Sequence, residues 1–383
     1  MENVNSRKLK EIRRSLMSIL SEKALPGAIN FAIGEPTYPT PNTLKKVIET
    51  FIKEDSADYG PVAGLLSFRD FLAEWYGNKG TTFVSGSENV LTTCGVTEAV
   101  YTSLVALLDN GCEVIYPDPG FVLYEQAIKM CGGVPVPLRL DHASDFNIDP
   151  QLLKRLITRK TRAVIINSPS NPTGRVIPQR ILKEVAEICG KKGVTIISDE
   201  IYEHIIYEKG HHSVSEFTDN VIVCSGISKL FRMAGWRLGW CVAKEEVIKN
   251  LVKCHQYTVF RAPTISQRIA QEALIMKKEI KEMVSFYRQK RDLMLHLMGS
   301  IEGIRFVKPE ATFFLYADFS KYGDDWSLSL KFLKNGVVTV PSTGPGAGFG
   351  SNGEGFIRLS YALDEESIRT GIAKIKHVLT QVS

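Results

Sequence analysis

Between about residues 88 and 245 the chain alternates short apolar runs with amphipathic helical patterns, and this alternation restricts the fold more than any other feature. The apolar runs lie at 89–93, 113–116, 163–167, 194–198, 221–224 and 238–242, and the helical patterns between them include 98–108, 121–130 and 179–189. Strands that are apolar on both faces need cover on both, so the pattern predicts a mostly parallel sheet flanked by helices. Ligands bind such sheets beyond the carboxyl ends of the strands, and the residues at those ends are therefore the candidate site.

The rest of the chain predicts a second lobe, because 383 residues exceed what one hydrophobic core normally serves. After about residue 265 a long helical pattern runs to Met298, and a closing helix runs from Glu365 to about Val382. Strands are expected near 305–307, 313–317, 337–340 and 356–360. This segment indicates a smaller α+β lobe, which the N-terminal arm is expected to join.

Composition narrows the class of protein and its partners. The net charge is +5, but the basic residues are scattered and form no stripe, so the sequence offers little support for nucleic-acid binding. The seven cysteines show neither a CxxC pair nor metal-ligand spacing, which indicates reduced thiols and predicts no metal site. No apolar stretch reaches transmembrane length, and residues 1–27 lack the apolar core of a signal peptide. We therefore expect a cytoplasmic protein without a membrane partner.

The segment from Ser225 to Trp240 carries the strongest functional signal. Lys229 has small neighbours that would let a bulky group approach its amine, and Arg237 between two glycines offers a planar fork suited to a phosphate or a carboxylate. A solvated surface lysine is the plain alternative. Surrounding apolar residues argue against full exposure, and an amine in an apolar pocket has a lowered pKa that suits a nucleophile.

Five further residues fall at strand ends or in loops, and each has an ordinary structural explanation. Asp199 could cap a helix, Asn171 could belong to a plain proline turn, and Thr97 could cap the helix that it begins. Tyr59 could pack a turn, and Arg358 could be a surface charge on an edge strand. In the functional alternative, Asp199 is a carboxylate at the floor of a cleft and Thr97 marks an anion site at the start of a helix. None of the five decides between these readings alone.

Together these features resemble the class I/II aminotransferases, the pyridoxal-5′-phosphate (PLP) enzymes of the aspartate aminotransferase fold. The resemblance runs from Gly34-Glu35-Pro36 to Arg358. Its specific motifs are Ser168-Pro-Ser-Asn-Pro-Thr-Gly174, Asp199-x-x-Tyr202, Ser228-Lys229 and Gly235-x-Arg237-x-Gly239. It implies a seven-stranded sheet in the large domain and domain boundaries at 1–44 (N-terminal arm and part of the small domain), 45–280 (PLP-binding domain) and 281–383 (small C-terminal domain).

The resemblance also implies a role for each site residue. Lys229 would hold PLP as an internal aldimine, with Asp199 against the ring nitrogen, and these two with Tyr202 are the expected catalytic residues. The other implied cofactor contacts are Asn171 and Tyr202 at the 3′ oxygen, Phe121 stacked on the ring, Val96, Thr97, Ser228 and Arg237 at the phosphate, and Tyr59 from the partner subunit. Arg358, with Gly34 and Asn171, would bind the substrate. The Ser168–Pro169 and Asn171–Pro172 peptide bonds are expected to be cis.

Some positions depart from the family pattern. Gly226 stands where many relatives carry a phosphate-binding serine, and Ser225 or Ser228 could compensate. Arg232 replaces a small or aliphatic residue and could point outward or add charge near the cofactor. Thr97 stands where some aspartate-specific relatives carry a lysine. Arg261 lies near the segment that lines the neighbouring subunit's site in relatives and is a candidate contact for a distal carboxylate. The glycine-rich loop 341–355 is the candidate for a mobile flap.

The implied function is a homodimeric aminotransferase that moves the amino group of an L-amino acid to a 2-oxo acid, with 2-oxoglutarate as the expected acceptor, by a ping-pong mechanism. A PLP-dependent C–S β-lyase shares the same first steps and remains the alternative enzyme. A non-catalytic regulator on this fold would bring a DNA-binding module, for which residues 1–40 are too short. A nicotinamide dehydrogenase is disfavoured because no G-x-G-x-x-G follows a first strand. Acidic, aromatic and aliphatic substrates all remain open.

Overall fold

The computed structural model describes residues 6–54, 58–208 and 210–382. Its strands are β1 (Ile29–Asn30), β2 (Val90–Thr93), β3 (Glu113–Asp118), β4 (Val134–Arg139), β5 (Thr161–Asn167), β6 (Thr195–Asp199), β7 (Val221–Gly226), β8 (Gly239–Val242), β9 (Arg305–Phe306), β10 (Phe314–Asp318), β11 (Val337–Val338), β12 (Val340–Pro341) and β13 (Phe356–Ser360). Its α-helices are α1 (Arg7–Glu11), α2 (Leu16–Glu22), α3 (Asn42–Lys53), α4 (Leu66–Asn78), α5 (Val96–Leu107), α6 (Leu123–Met130), α7 (Pro150–Leu156), α8 (Gln179–Lys192), α9 (Glu245–Thr258), α10 (Thr264–Ile275), α11 (Lys277–Gly299), α12 (Asp325–Lys334) and α13 (Glu365–Thr380).

The large sheet has seven strands in the order β2-β8-β7-β6-β5-β3-β4 and confirms the predicted α/β fold. The pairs from β4 to β7 are parallel, and β8 is antiparallel to both β7 and β2. The apolar pattern omitted β4, because Pro135 and Pro137 argue against a strand. β4 is an edge strand, so the missing N–H groups of these prolines do not interrupt a second ladder.

A four-stranded sheet of order β12-β13-β10-β9 forms the centre of the smaller lobe, as the pattern predicted. All of its pairs are antiparallel. The segment predicted as one strand at 337–340 serves two sheets, since β12 joins this one and β11 pairs in parallel with β1 of the N-terminal arm. The arm is thus hydrogen-bonded to the C-terminal part of the chain, as expected.

The long helical pattern after residue 265 contains a break that the sequence does not mark. α10 ends at Ile275 and α11 begins at Lys277, with Met276 at φ −75° and ψ 62°, outside the helical region. The helical pattern predicted to Met298 is therefore divided into two helices, and the sequence gives no sign of the break because neither glycine nor proline lies there. Within the described ranges, no helix combines the length and the apolar character needed to cross a membrane.

The central strands end at polar or small residues on one edge of the sheet. Asn167 at the end of β5 lies opposite Asp199 at the end of β6, and Gly226 ends the neighbouring β7. These strands are almost entirely buried because β-branched and other apolar side chains point to both faces. The Ser168–Pro169 and Asn171–Pro172 bonds that follow β5 are cis, which confirms that expectation, and Asp118–Pro119 is also cis.

Candidate active site

One cavity opens at these strand ends, and both lobes and the N-terminal arm contribute to its walls. Eleven of the twelve residues that the sequence singled out as site residues line it: Gly34, Val96, Thr97, Phe121, Asn171, Asp199, Tyr202, Ser228, Lys229, Arg237 and Arg358. Met17 and Ser18 of α2 complete the wall on the side of the arm. The fold therefore brings together residues that lie far apart in the sequence.

Lys229 follows the loop after β7 and its amine points into the cavity. Nζ donates a hydrogen bond to the Gly34 carbonyl oxygen at 2.7 Å and lies 5.6 Å from the centre of the Tyr202 ring. Burial, together with the positive charge of Arg358, lowers the pKa of the Lys229 amine to about 8. The amine therefore loses its proton far more readily than a surface lysine, as a nucleophile or a proton carrier must.

Asp199 lies at the floor of the cavity and is 3% exposed. Its Oδ2 accepts a hydrogen bond from the Tyr124 hydroxyl at 2.8 Å, and its Oδ1 accepts one from the Ile201 N–H at 3.2 Å. Burial raises the pKa of Asp199 to about 6, although both hydrogen bonds and the charge of Lys229 oppose the rise. A buried carboxylate in this state gains stability when a cationic group approaches it. Tyr124 was not anticipated, because a buried tyrosine on α6 has the pattern of an ordinary core residue.

Arg358 on β13 is 2% exposed, so the expectation of an edge-strand surface charge is excluded. Its Nη1 donates to Asn171 Oδ1 at 2.9 Å and its Nη2 donates to the Ala32 carbonyl oxygen at 2.7 Å. The guanidinium lies between the rings of Phe314 and Phe349, 4.1 and 5.0 Å from their centres. Its Nε has no partner, and no carboxylate of the described residues pairs with it. A buried cation in this condition is suited to bind an anionic ligand.

A compact turn at the start of α5 lies beside Arg237. Gly95 has φ +91°, and a side chain there would approach Arg237 Nη2 to 2.8 Å. Arg237 donates to the carbonyl oxygens of Cys94 and Ala234 and is otherwise exposed. Val96 and Thr97 begin α5, where free backbone N–H groups favour an anion. The turn and the guanidinium together can hold a phosphate.

Close packing explains why position 226 carries glycine where many relatives carry serine. An added Cβ would lie 2.7 Å from the Leu238 carbonyl oxygen and 2.9 Å from the Gly239 Cα, so β7 and β8 approach too closely for a serine. Of the two suggested substitutes, Ser225 is wrong, because its buried hydroxyl donates to Glu203 Oε1 at 2.7 Å instead of facing the cavity. Ser228 lines the cavity.

Tyr202 and Phe121 form two aromatic walls of the cavity. Tyr202 is buried, with its ring edge against Phe314 at 5.8 Å, and burial raises the pKa of its hydroxyl. The Phe121 ring meets Tyr124 edge-on at 6.0 Å. A planar ring could lie between the wall of Phe121 and the floor formed by Asp199.

Tyr59 does not line the cavity of its own chain. It is 80% exposed, and its ring contacts Phe260 at 5.6 Å and the Arg261 guanidinium at 5.1 Å. Phe260 and Tyr257 are exposed as well, so this aromatic surface is open in the single chain. Arg261 lies here and does not line the cavity of its own chain, so its contact with a distal carboxylate in the neighbouring subunit's site stays a prediction.

Arg232 is exposed, has φ +59° and does not line the cavity, so it points outward, as one of the two alternatives proposed.

The loop 341–355 packs against the rest of the chain. Asn352 N–H donates to Asp118 Oδ1 at 3.1 Å, and buried Phe349 covers Arg358. The mobility of this loop stays a prediction.

Buried acids lie behind the floor of the site. Glu200 follows Asp199, and its Oε1 accepts hydrogen bonds from Ser198 and Ser213 at 2.7 and 2.8 Å. Glu203 accepts from Lys79 Nζ at 2.5 Å. Burial and the negative charge of Glu203 raise the pKa of Glu200 to about 8, so this acid keeps a proton near neutral pH.

Comparisons with known proteins agree with this geometry. The family model described as "Aminotransferase class I and II" matches residues 26–375. A probable aspartate aminotransferase of Methanocaldococcus jannaschii is 35% identical over 97% of this chain and 99% of its own. The solved structure of an aspartate aminotransferase from Thermus thermophilus with maleate has a TM-score of 0.91 at 30% identity, covering 98% of this chain and 99% of that one. An aromatic aminotransferase from Pyrococcus horikoshii has a TM-score of 0.87 at 32% identity over 95% and 99%. This chain therefore belongs to the class I and II aminotransferases, transaminases of fold type I that use pyridoxal 5′-phosphate.

Proposed function

We propose that this enzyme moves the amino group of an L-amino acid to a 2-oxo acid, with 2-oxoglutarate as acceptor, by a ping-pong mechanism in which Lys229 binds the cofactor covalently. The observation that carries the proposal is a single cavity that joins a half-buried amine of lowered pKa, a buried carboxylate and a buried arginine that has no acidic partner among the described residues. Each group alone is costly to bury, and one ligand could satisfy all three.

The residues present fit PLP. Lys229 would bind the aldehyde, Asp199 would face the ring nitrogen, and Asn171 and Tyr202 would reach the 3′ oxygen. Phe121 would stack on the ring, and the turn of Val96 and Thr97, with Ser228 and Arg237, would bind the phosphate. The bound cofactor supplies an electron-withdrawing ring that stabilises negative charge on the substrate Cα.

Two side chains would then act directly on the substrate. Arg358 would bind the α-carboxylate through its fork and, with the Gly34 backbone nearby, would fix the direction of the Cα–H bond. The Lys229 amine would hold and move the proton at the substrate Cα, beside which it would lie. A pKa near 8 suits both directions of that transfer. In the ping-pong order, the amino acid leaves its nitrogen before the 2-oxo acid collects it.

We further propose a cytoplasmic homodimer with shared active sites. The exposed and mutually contacting rings of Tyr59 and Phe260, with exposed Tyr257 close by in sequence, support a partner interface, because uncovered aromatic surface favours association. Tyr59 would then reach the phosphate bound by the partner subunit. The domain boundaries at 1–44, 45–280 and 281–383 are part of the same proposal.

The decisive experiment removes the amine. Lys229→Ala should abolish the visible absorption of the purified protein and the fixation of cofactor to the chain by borohydride, whereas Lys154→Ala, an exposed control on α7, should keep both. Retained colour and fixation in Lys229→Ala would refute the assignment of the lysine.

The reaction itself is tested with a panel of amino acids and 2-oxoglutarate. We expect one new amino acid to form from 2-oxoglutarate for each 2-oxo acid that forms from the amino acid donor. Release of ammonia and pyruvate instead would identify the C–S β-lyase and overturn the proposed transamination.

A further inference from the structure

We propose that Glu98 and His255 are positioning residues that set the affinity of this enzyme for the phosphate group of its cofactor. The inference rests on the proposed function, since it assumes that the turn before α5 binds that phosphate. Neither side chain lines the cavity, so both would act through the backbone of the turn.

The two residues form a buried pair between α5 and α9. Glu98 lies in the first turn of α5 with 8% exposure, and His255 lies near the end of α9 with none. Glu98 Oε1 and His255 Nδ1 are 2.6 Å apart. His255 Nε2 is buried without a partner in the described part of the chain, so the contact with Glu98 holds the ring in place.

The second oxygen of Glu98 holds the turn itself. Glu98 Oε2 accepts a hydrogen bond from the Cys94 N–H, and the Cys94 carbonyl oxygen accepts one from Arg237 Nη2 at 3.3 Å. The Cys94 peptide thus connects the buried pair to the arginine expected at the phosphate. Since Gly95 follows with φ +91° and carries no side chain to restrict it, the orientation of the turn depends on such contacts.

Charge gives the pair a second role. A carboxylate near a phosphate site would repel the ligand unless its charge were offset nearby. His255 donates to the oxygen of Glu98 that does not hold the turn, when Nδ1 carries the proton, and so draws negative charge away from the phosphate. The charge of Glu98 reaches the turn, because it adds to burial in raising the pKa of the Cys94 thiol to about 11.

The test compares PLP with pyridoxal, which has the same aldehyde and ring but no phosphate. Dissociation constants are measured from the cofactor absorption of wild type, Glu98→Ala and Glu98→Gln. We expect Glu98→Ala to weaken PLP binding by at least about tenfold, because the Cys94 N–H loses its acceptor, and to leave pyridoxal binding within about twofold. Glu98→Gln keeps an acceptor for that N–H and should restore most of the affinity for PLP.

Equal losses for PLP and pyridoxal, or no loss for PLP in Glu98→Ala, would overturn the proposal. If Glu98→Ala does not fold, His255→Leu and His255→Asn form the second pair, since asparagine can place a donor near the Nδ1 position and leucine cannot. We then expect only His255→Leu to lose PLP selectively, and equal behaviour of the two variants would equally overturn the proposal. Failure of the proposed function is distinguishable, because wild type would then bind neither aldehyde through Lys229.

Discussion

Arg358 offers the sharpest quantitative test of the substrate site, through the substitution Arg358→Lys. The guanidinium contacts Asn171 Oδ1 and the Ala32 carbonyl oxygen through different terminal nitrogens and lies between two phenyl rings. Burial lowers the pKa of Arg358 to about 10, yet the group stays protonated at neutral pH. A lysine keeps the charge, but its single ammonium cannot hold both fixed contacts and also present a fork to a carboxylate.

The expected loss follows from the number of charged hydrogen bonds. A substrate carboxylate would gain two from the arginine and at most one well-oriented bond from the lysine, and one such bond contributes about 1.5–3 kcal/mol. Arg358→Lys should therefore lower kcat/KM for the amino acid by roughly 10- to 150-fold. The effect should appear with every L-amino acid donor, because all of them share the α-carboxylate.

The assay measures kcat/KM for an L-amino acid and for the matching amine that lacks the carboxylate. Wild type should strongly prefer the acid, and Arg358→Lys should lose most of that preference while the slow reaction with the amine changes little. Arg268→Lys is the matched control, because Arg268 is a half-exposed arginine paired with Glu54 outside the cavity. A loss below about threefold in Arg358→Lys, or an equal loss with the amine, would refute the role of the fork.

Three further predictions concern the floor of the site and the surface beside it. Asp199→Ala should still bind PLP but lose at least about a hundredfold in turnover, and near-normal single-turnover rates would remove the role of the carboxylate. The pKa of Glu200 rises from 4.5 to about 8 on folding, so the folded chain holds a proton that the unfolded chain releases between those values, and stability falls as pH rises through that window. Glu200→Gln should flatten this fall in urea unfolding at pH 5 and pH 8, and identical slopes for both proteins would contradict the burial argument. If the proposed dimer forms, Tyr59→Phe should weaken PLP binding by roughly tenfold, and mixed dimers with Lys229→Ala should show whether Tyr59 acts on the neighbouring site.

Much of the fold could be predicted because its strands are apolar on both faces and its helices separate them. The prediction failed where tertiary position overrode local preference. Pro135 and Pro137 lie in β4, which tolerates them only because it is at the edge of the sheet. Met276 breaks a helix although its own side chain favours one, so packing around that position decides the break.

The site residues at the strand ends could be predicted from the sequence, whereas the buried polar residues that contact them from helices could not. Asp199 and Arg358 belong to short patterns that specify chemistry, and the fold brings both into one cavity. Tyr124 and the pair of Glu98 and His255 act from buried helix faces, where a polar side chain has no distinguishing spacing in the sequence. Ser225 was the reverse case, since its hydroxyl at the end of β7 donates a hydrogen bond to Glu203 and does not face the cavity.

The pairing of β1 with β11 affects how this protein matures on the ribosome. Ile29 is translated long before Val337, its hydrogen-bonding neighbour in the folded chain. Until then Leu16 and Leu20, which are fully covered in the finished protein, lack β12, an element against which α2 packs. The nascent arm therefore exposes apolar side chains until β11 and β12 are made, and a chain truncated before β13 would lack Arg358.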